Sequence, residues 1–89
     1  MHRTVKHFAS PEFWTCYRKL PKAVRKVADQ NFELLKTNPR HSSLHLKKVG
    51  RYRSVRVGAG HRALGAECAD GIVWFWIGSH GNYDKLLRQ

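Results

Sequence analysis

The chain is short of acid: 6 Asp and Glu stand against 17 Lys and Arg, a formal net charge of +11. A surface with so few carboxylates is poorly matched to cationic partners and well matched to polyanions such as RNA, DNA, a ribosome or an acidic protein. Cysteine is equally scarce. Cys16 and Cys68 stand alone without C-x-x-C spacing, which excludes a disulfide framework and fits reduced thiols in a cytoplasmic protein. No apolar run approaches the roughly 20 residues that cross a bilayer, and Met1-His2-Arg3-Thr4-Val5-Lys6-His7 offers no apolar signal core. Membrane and secretory roles are therefore not expected. Repeats, low-complexity tracts and linkers are missing too, and a chain of 89 residues has room for one core, so residues 1–89 are expected to form a single domain.

What is present is a well-patterned globular sequence, 42% apolar, which excludes disorder. Its most apolar stretch is Gly71-Ile72-Val73-Trp74-Phe75-Trp76-Ile77-Gly78, six β-branched or aromatic residues between glycines. It reads as the central strand, buried on both faces, and it empties into Ser79-His80-Gly81-Asn82-Tyr83. Residues 3–8 alternate weakly and suit a basic edge strand. Ser10-Pro11-Glu12 is a helix start, with Ser as N-cap, Pro at the first helical position and Glu at the positive end of the dipole. Phe13, Tyr17 and Leu20 form its apolar stripe.

Val24, Val27, Ala28, Phe32 and Leu35 recur at spacings of three and four, which predicts a helix over 21–37 ended by Asn38-Pro39. His41 to Gly50 reads as a polar connector outside the core. Tyr52–Val57 and His61–Glu67, joined by Gly58-Ala59-Gly60, form a hairpin, and Ala69-Asp70-Gly71 turns into the last strand. Tyr83–Leu87 suits a final helical turn. The order β-α-α-β-β-β predicts an α+β fold in which two N-terminal helices pack on one face of a four-stranded, mainly antiparallel sheet.

Alternation along the hairpin puts Val55 and Val57 toward the helices and Tyr52, Ser54 and Arg56 on the open face, with His61 or Arg62 opposite them. An arginine with an aromatic and a hydroxyl on an uncovered sheet is a platform for phosphate and base. His80 and Tyr83 at a rigid strand end are proton-capable groups, and Lys47-Lys48 supply fixed charge. His41-x-x-x-His45 has a ligand-like spacing but no helix and no third ligand, so no metal is expected.

From Phe13 to Leu87 these stretches resemble the RelE/ParE superfamily of bacterial toxins from type II toxin–antitoxin pairs, most closely its ParE-like branch. The resemblance rests on Phe13-Trp14, Leu20-Pro21, Asn38-Pro39-Arg40-His41, Ser43 through Gly50, Ser54-Val55-Arg56-Val57-Gly58, His61-Arg62-Ala63-Leu64 and Trp74 through His80. It implies the same fold and a choice of activities: metal-independent cleavage of messenger RNA on the ribosome, as in RelE and YafQ relatives, or inhibition of DNA gyrase, as in ParE relatives. An inactive basic interaction module is a further reading.

Under the nuclease reading, His80 resembles the catalytic histidine of YafQ-like enzymes, Arg62 steadies the phosphate, and Tyr83 stacks on a base or orients His80. Lys47, Lys48 and Arg56 bind the flanking RNA backbone, and His45 or His61 assists. No cofactor is implied. The implied partners are a cognate antitoxin, acidic where it meets the toxin, and the ribosome with its message.

Overall fold

The computed structural model describes residues 5–88, so the first part of the strand expected over 3–8 lies outside the described residues. Nine elements follow one another: β1 (Lys6–Ala9), α1 (Pro11–Arg18), α2 (Lys22–Thr37), a 3-10 turn (Ser42–Leu44), β2 (Lys47–Val49), β3 (Tyr52–Val57), β4 (His61–Cys68), β5 (Gly71–Ser79) and α3 (His80–Leu87). The strands form one sheet in the order β1-β5-β4-β3-β2, antiparallel except for the parallel pair β1–β5. The expected α+β architecture is present, with one strand and one helix more than predicted.

Local chemistry accounts for the helices. The Ser10 hydroxyl accepts from the Phe13 N–H at 3.3 Å with Pro11 in the first turn, and α2 ends at Asn38, whose N–H donates to Leu34. Both helices lay their apolar stripes on one sheet face, where Leu20, Ala28 and Leu35 meet Val55, Val57, Ala63, Ile72, Trp74 and Ile77. Burial of each large side chain contributes ~1.5–3 kcal/mol. The helices leave a cleft of about 120 Å³ above this core, rimmed by Trp14 and Phe32.

Three expectations are corrected. The segment 41–50 is not outside the core, because Leu44 is 0% exposed and Lys47–Val49 pairs with β3 as a fifth strand. The strand after Gly71 is flanked by β1 and β4, and the middle strand is β4. Nor is β5 buried on both faces: Ile72, Trp74 and Ile77 are buried while Val73, Phe75 and Trp76 are half-buried. A bulge opposite Leu64/Gly65 shifts the register, so the inward residues change from even to odd numbers within the strand. That phase change removes the alternation and leaves an unbroken apolar run in the sequence.

Gly65 is a point of tight packing in this core. A Cβ there would lie 2.5 Å from Ile72 Cγ2 and 2.8 Å from Trp74 Cε3, so the indole occupies the space a side chain would need.

Candidate functional site

The sheet face turned away from α1 and α2 carries the predicted chemistry. Residues paired directly across strands share a face, and Arg56 on β3, Arg62 on β4 and Gly78 on β5 are register partners in one row. α3 begins immediately after this row. Its N-cap Ser79 accepts from the Asn82 N–H at 3.2 Å, and the His80 N–H donates to the Gly60 carbonyl at 2.8 Å, which ties the helix start to the β3–β4 turn. Ser79 and Asn82 are the capping signal that would have revealed this helix in the sequence.

The geometry converges on cations. Arg56 and Arg62 are like charges directly opposite each other, a destabilising pairing on its own. Arg56 Nε donates to the Gly58 carbonyl at 3.1 Å, while the Arg62 guanidinium carbon lies 5.5 Å from the Tyr83 ring centre. Nη1 of Arg62 is buried and has no hydrogen-bond partner among the described residues. An anion seated between the two guanidiniums would relieve the repulsion and offer acceptors to their N–H groups.

His80 stands at the rim with its side chain 54% exposed, its ring 5.9 Å from that of Tyr83 and Nε2 3.6 Å from Asp84 Oδ1. Asp84, one helical turn on, is a partner sequence reasoning missed, although the i,i+4 spacing was visible.

The predicted residues do not all gather here. Tyr83 is only 4% exposed and packs between Arg62 and Trp76, so it positions its neighbours and offers no free ring to a base. Ser54, expected on an open face, is fully buried with no hydrogen-bond partner among the described residues; it pairs with the equally buried Leu64 of β4, the strand that α3 packs against. Lys47 pairs with Ser54 and shares the arginine face, whereas Lys48 pairs with Arg53 and points to the other side.

His61, half-buried, pairs with Val57 and Ser79 on the helix side at the same end of the sheet as His80. His45 caps the 3-10 turn in the left-handed region, φ 45°, and lines a crevice behind the sheet with Arg53 and Glu67. His41 accepts the Ser43 N–H at Nδ1, 3.2 Å, a local capping role. No group of three or more metal-ligating side chains occurs among the described residues. No helix among them is long and apolar enough to cross a membrane.

Solved structures share this fold. The RelE–RelB antitoxin–toxin complex of Methanococcus jannaschii matches with a TM-score of 0.69 at 18% identity, over 89% of this chain and 96% of that one. The DinJ–YafQ toxin–antitoxin complex of E. coli matches with a TM-score of 0.69 at 11% identity, again over 89% and 96%. The isolated RelE toxin of E. coli gives 0.62 at 13%, over 94% and 97%. These likenesses establish a RelE-like fold for this chain. By sequence, neither a family model nor a curated protein matches it.

Proposed function

We infer that the chain is the toxin of a type II toxin–antitoxin pair and acts as a ribosome-associated endoribonuclease that needs no metal, the whole chain serving as one such domain in the cytoplasm. The observation that carries this reading is the row Arg56–Arg62 beside the exposed His80, set on a RelE-like fold. The neighbours named above are RelE and YafQ structures, which favours RNA cutting over the ParE-like branch and its gyrase target.

Cleavage by this route has three demands: removal of the proton from a ribose 2′-hydroxyl, stabilisation of the crowded phosphorane, and a proton for the departing 5′-oxygen. Arg62 and Arg56 hold the phosphate and take up its growing negative charge. His80, held at a helix start with Asp84 behind it, takes the 2′-hydroxyl proton as base or gives a proton to the 5′-oxygen as acid, and water carries the other transfer. Tyr83 fixes Arg62 beneath it. Lys47 extends the cationic track on the same face, and His61 is the histidine nearest in sequence to the Gly60 carbonyl that anchors His80. Lys48 and His45 contact flanking RNA or ribosome from the other side.

The partner is an acidic antitoxin segment over this cationic face, as the neighbours' complexes with RelB and DinJ suggest for this fold. Such a complex weakens as salt is raised. The test is primer extension on cellular messages after induction of wild type and His80→Ala. Wild type produces new 5′ ends, and the variant loses at least about 10²-fold of the cleavage with an unchanged melting temperature. Retained cleavage removes His80 from the chemistry. Intact messages together with inhibited supercoiling by the purified protein would replace the nuclease with a gyrase inhibitor.

A further inference from the structure

The same face has a second half that the chemistry around His80 does not use. Register places Phe8, Val73, Ala66, Tyr52 and Val49 in one row across all five strands, each the direct partner of the next. The row is therefore a continuous apolar band. α3 covers the other half, where Ser54 and Leu64 are 0% and 1% exposed, but the band is open: Phe8 is 42% exposed and its other four members are half-buried. Phe75, displaced by the bulge onto this side, sets its ring 5.4 Å from that of Tyr52 at 60°. The Arg51 guanidinium lies 5.5 Å from the Tyr52 ring centre.

Charge selects the occupant. The strands contain one carboxylate, Glu67, and it lies on the helix side, bonded to Arg53 at 2.6 Å. The outer face has Lys47, Arg56 and Arg62 and no strand carboxylate at all. Half-buried rings and a guanidinium plane beside fixed cations are components by which sheets hold unpaired bases and track their phosphates. The band lies on the same side of β3 as the candidate site: Tyr52 and Arg56 are about 13 Å apart along the strand, a span of a few nucleotides, with the buried Ser54 row between them.

We propose that this band is a stacking platform for the unpaired bases that flank the scissile phosphate, carried by Tyr52 and Phe75. It deepens the ribonuclease reading and rests on it for the identity of the ligand. It places base contact on the open half of the face, away from the buried Tyr83.

The test uses the full-length protein and a fluorescein-labelled 2′-O-methyl RNA decamer, which has no free 2′-hydroxyl and is not cut. Tyr52→Leu and Phe75→Leu keep apolar bulk but lose the ring, and each is expected to weaken binding about tenfold. Tyr52→Phe stays within about twofold of wild type. The slope of log Kd against log salt is unchanged in the leucine variants, whereas Lys47→Ala flattens it by about one unit. Circular dichroism confirms that each variant is folded.

Wild-type affinity in the folded leucine variants overturns the platform, as does a wild type that does not bind the decamer. A decamer that binds independently of Tyr52, with an acidic protein partner released by Tyr52→Leu, reassigns the band to protein docking and overturns it as well. The two readings fail separately. A protein that binds through Tyr52 and Phe75 but cuts no message keeps the platform and loses the nuclease. One that cuts messages at an equal rate in both leucine variants keeps the nuclease and loses the platform.

Discussion

The two faces of one sheet are built to opposite specifications. The face under α1 and α2 is closed: Val55, Val57, Ala63, Trp74 and Ile77 are each 3–5% exposed, and on it Arg53 pairs with Glu67 and Trp74 Nε1 with His7, although Nε of Arg25 on α2 is buried with no partner among the described residues. The outer face holds opposed arginines, a buried guanidinium nitrogen without a partner, a buried hydroxyl without a partner and an uncovered aromatic band. Buried polar groups are normally satisfied, so two unpartnered ones beside a pair of opposed arginines mark a face whose stability has been subordinated to something that binds there. Strand alternation makes this division possible, because every second residue can serve the fold while the one between serves a ligand.

Substitutions on the closed face should separate stability from activity in the direction opposite to His80→Ala. The largest effect is expected at Leu44, fully buried beneath a turn that gives it no route to water. Leu44→Ala should lower unfolding free energy by ~2–5 kcal/mol, read from the urea midpoint, with RNA cleavage per folded molecule unchanged. A midpoint within error of wild type would mean that the 3-10 turn is not part of the core. Gly65→Ala comes next. Its new methyl meets Ile72 and Trp74 at 2.5 and 2.8 Å, and overpacking of this kind costs ~1–3 kcal/mol. A stability equal to wild type would show that Trp74 has free space, contrary to the packing that closes this face.

How much of this was legible in the sequence differs between the faces. The helices, the hairpin and the inward valines were readable because capping residues and periodicity act locally. β5 was found but misread, since the bulge that moves Phe75 and Trp76 outward is a pairing event with no local signature. β2 was missed because a three-residue edge strand takes its stability from its neighbour. At the site, Arg56, Arg62 and His80 were identified by type and position, yet their juxtaposition depends on register. Strand alternation alone places Ser54 on the open face and carries no signal of its burial, and Tyr83 lies within an eight-residue helix from His80 onward where a final turn from Tyr83 was expected. Phe8 and Phe75 were absent from the site reading, since only cross-strand pairing aligns them with Tyr52.

The smallest expected effect probes a histidine built into the closed face. His7 Nδ1 accepts a hydrogen bond from Trp74 Nε1 at 3.1 Å, and the two rings stack with planes 17° apart. Burial, and then the nearby Lys36 ammonium, hold its pKa below the ordinary 6.5. The folded protein therefore takes up this proton less readily than the unfolded chain. The contribution to stability is complete above about pH 6.5 and is lost as pH falls from there through the lowered folded value, below which both states are protonated and the loss stops. His7→Asn keeps an acceptor near Trp74 and cannot be protonated in this range. The difference in urea midpoint between wild type and His7→Asn should therefore shrink as pH falls from 7.5 to 5.5, by less than either core substitution above. A difference that grows on acidification would place the proton on Nδ1 in the folded state. It would remove the Trp74 bond from the closed face and erase part of the contrast between the two sides of the sheet.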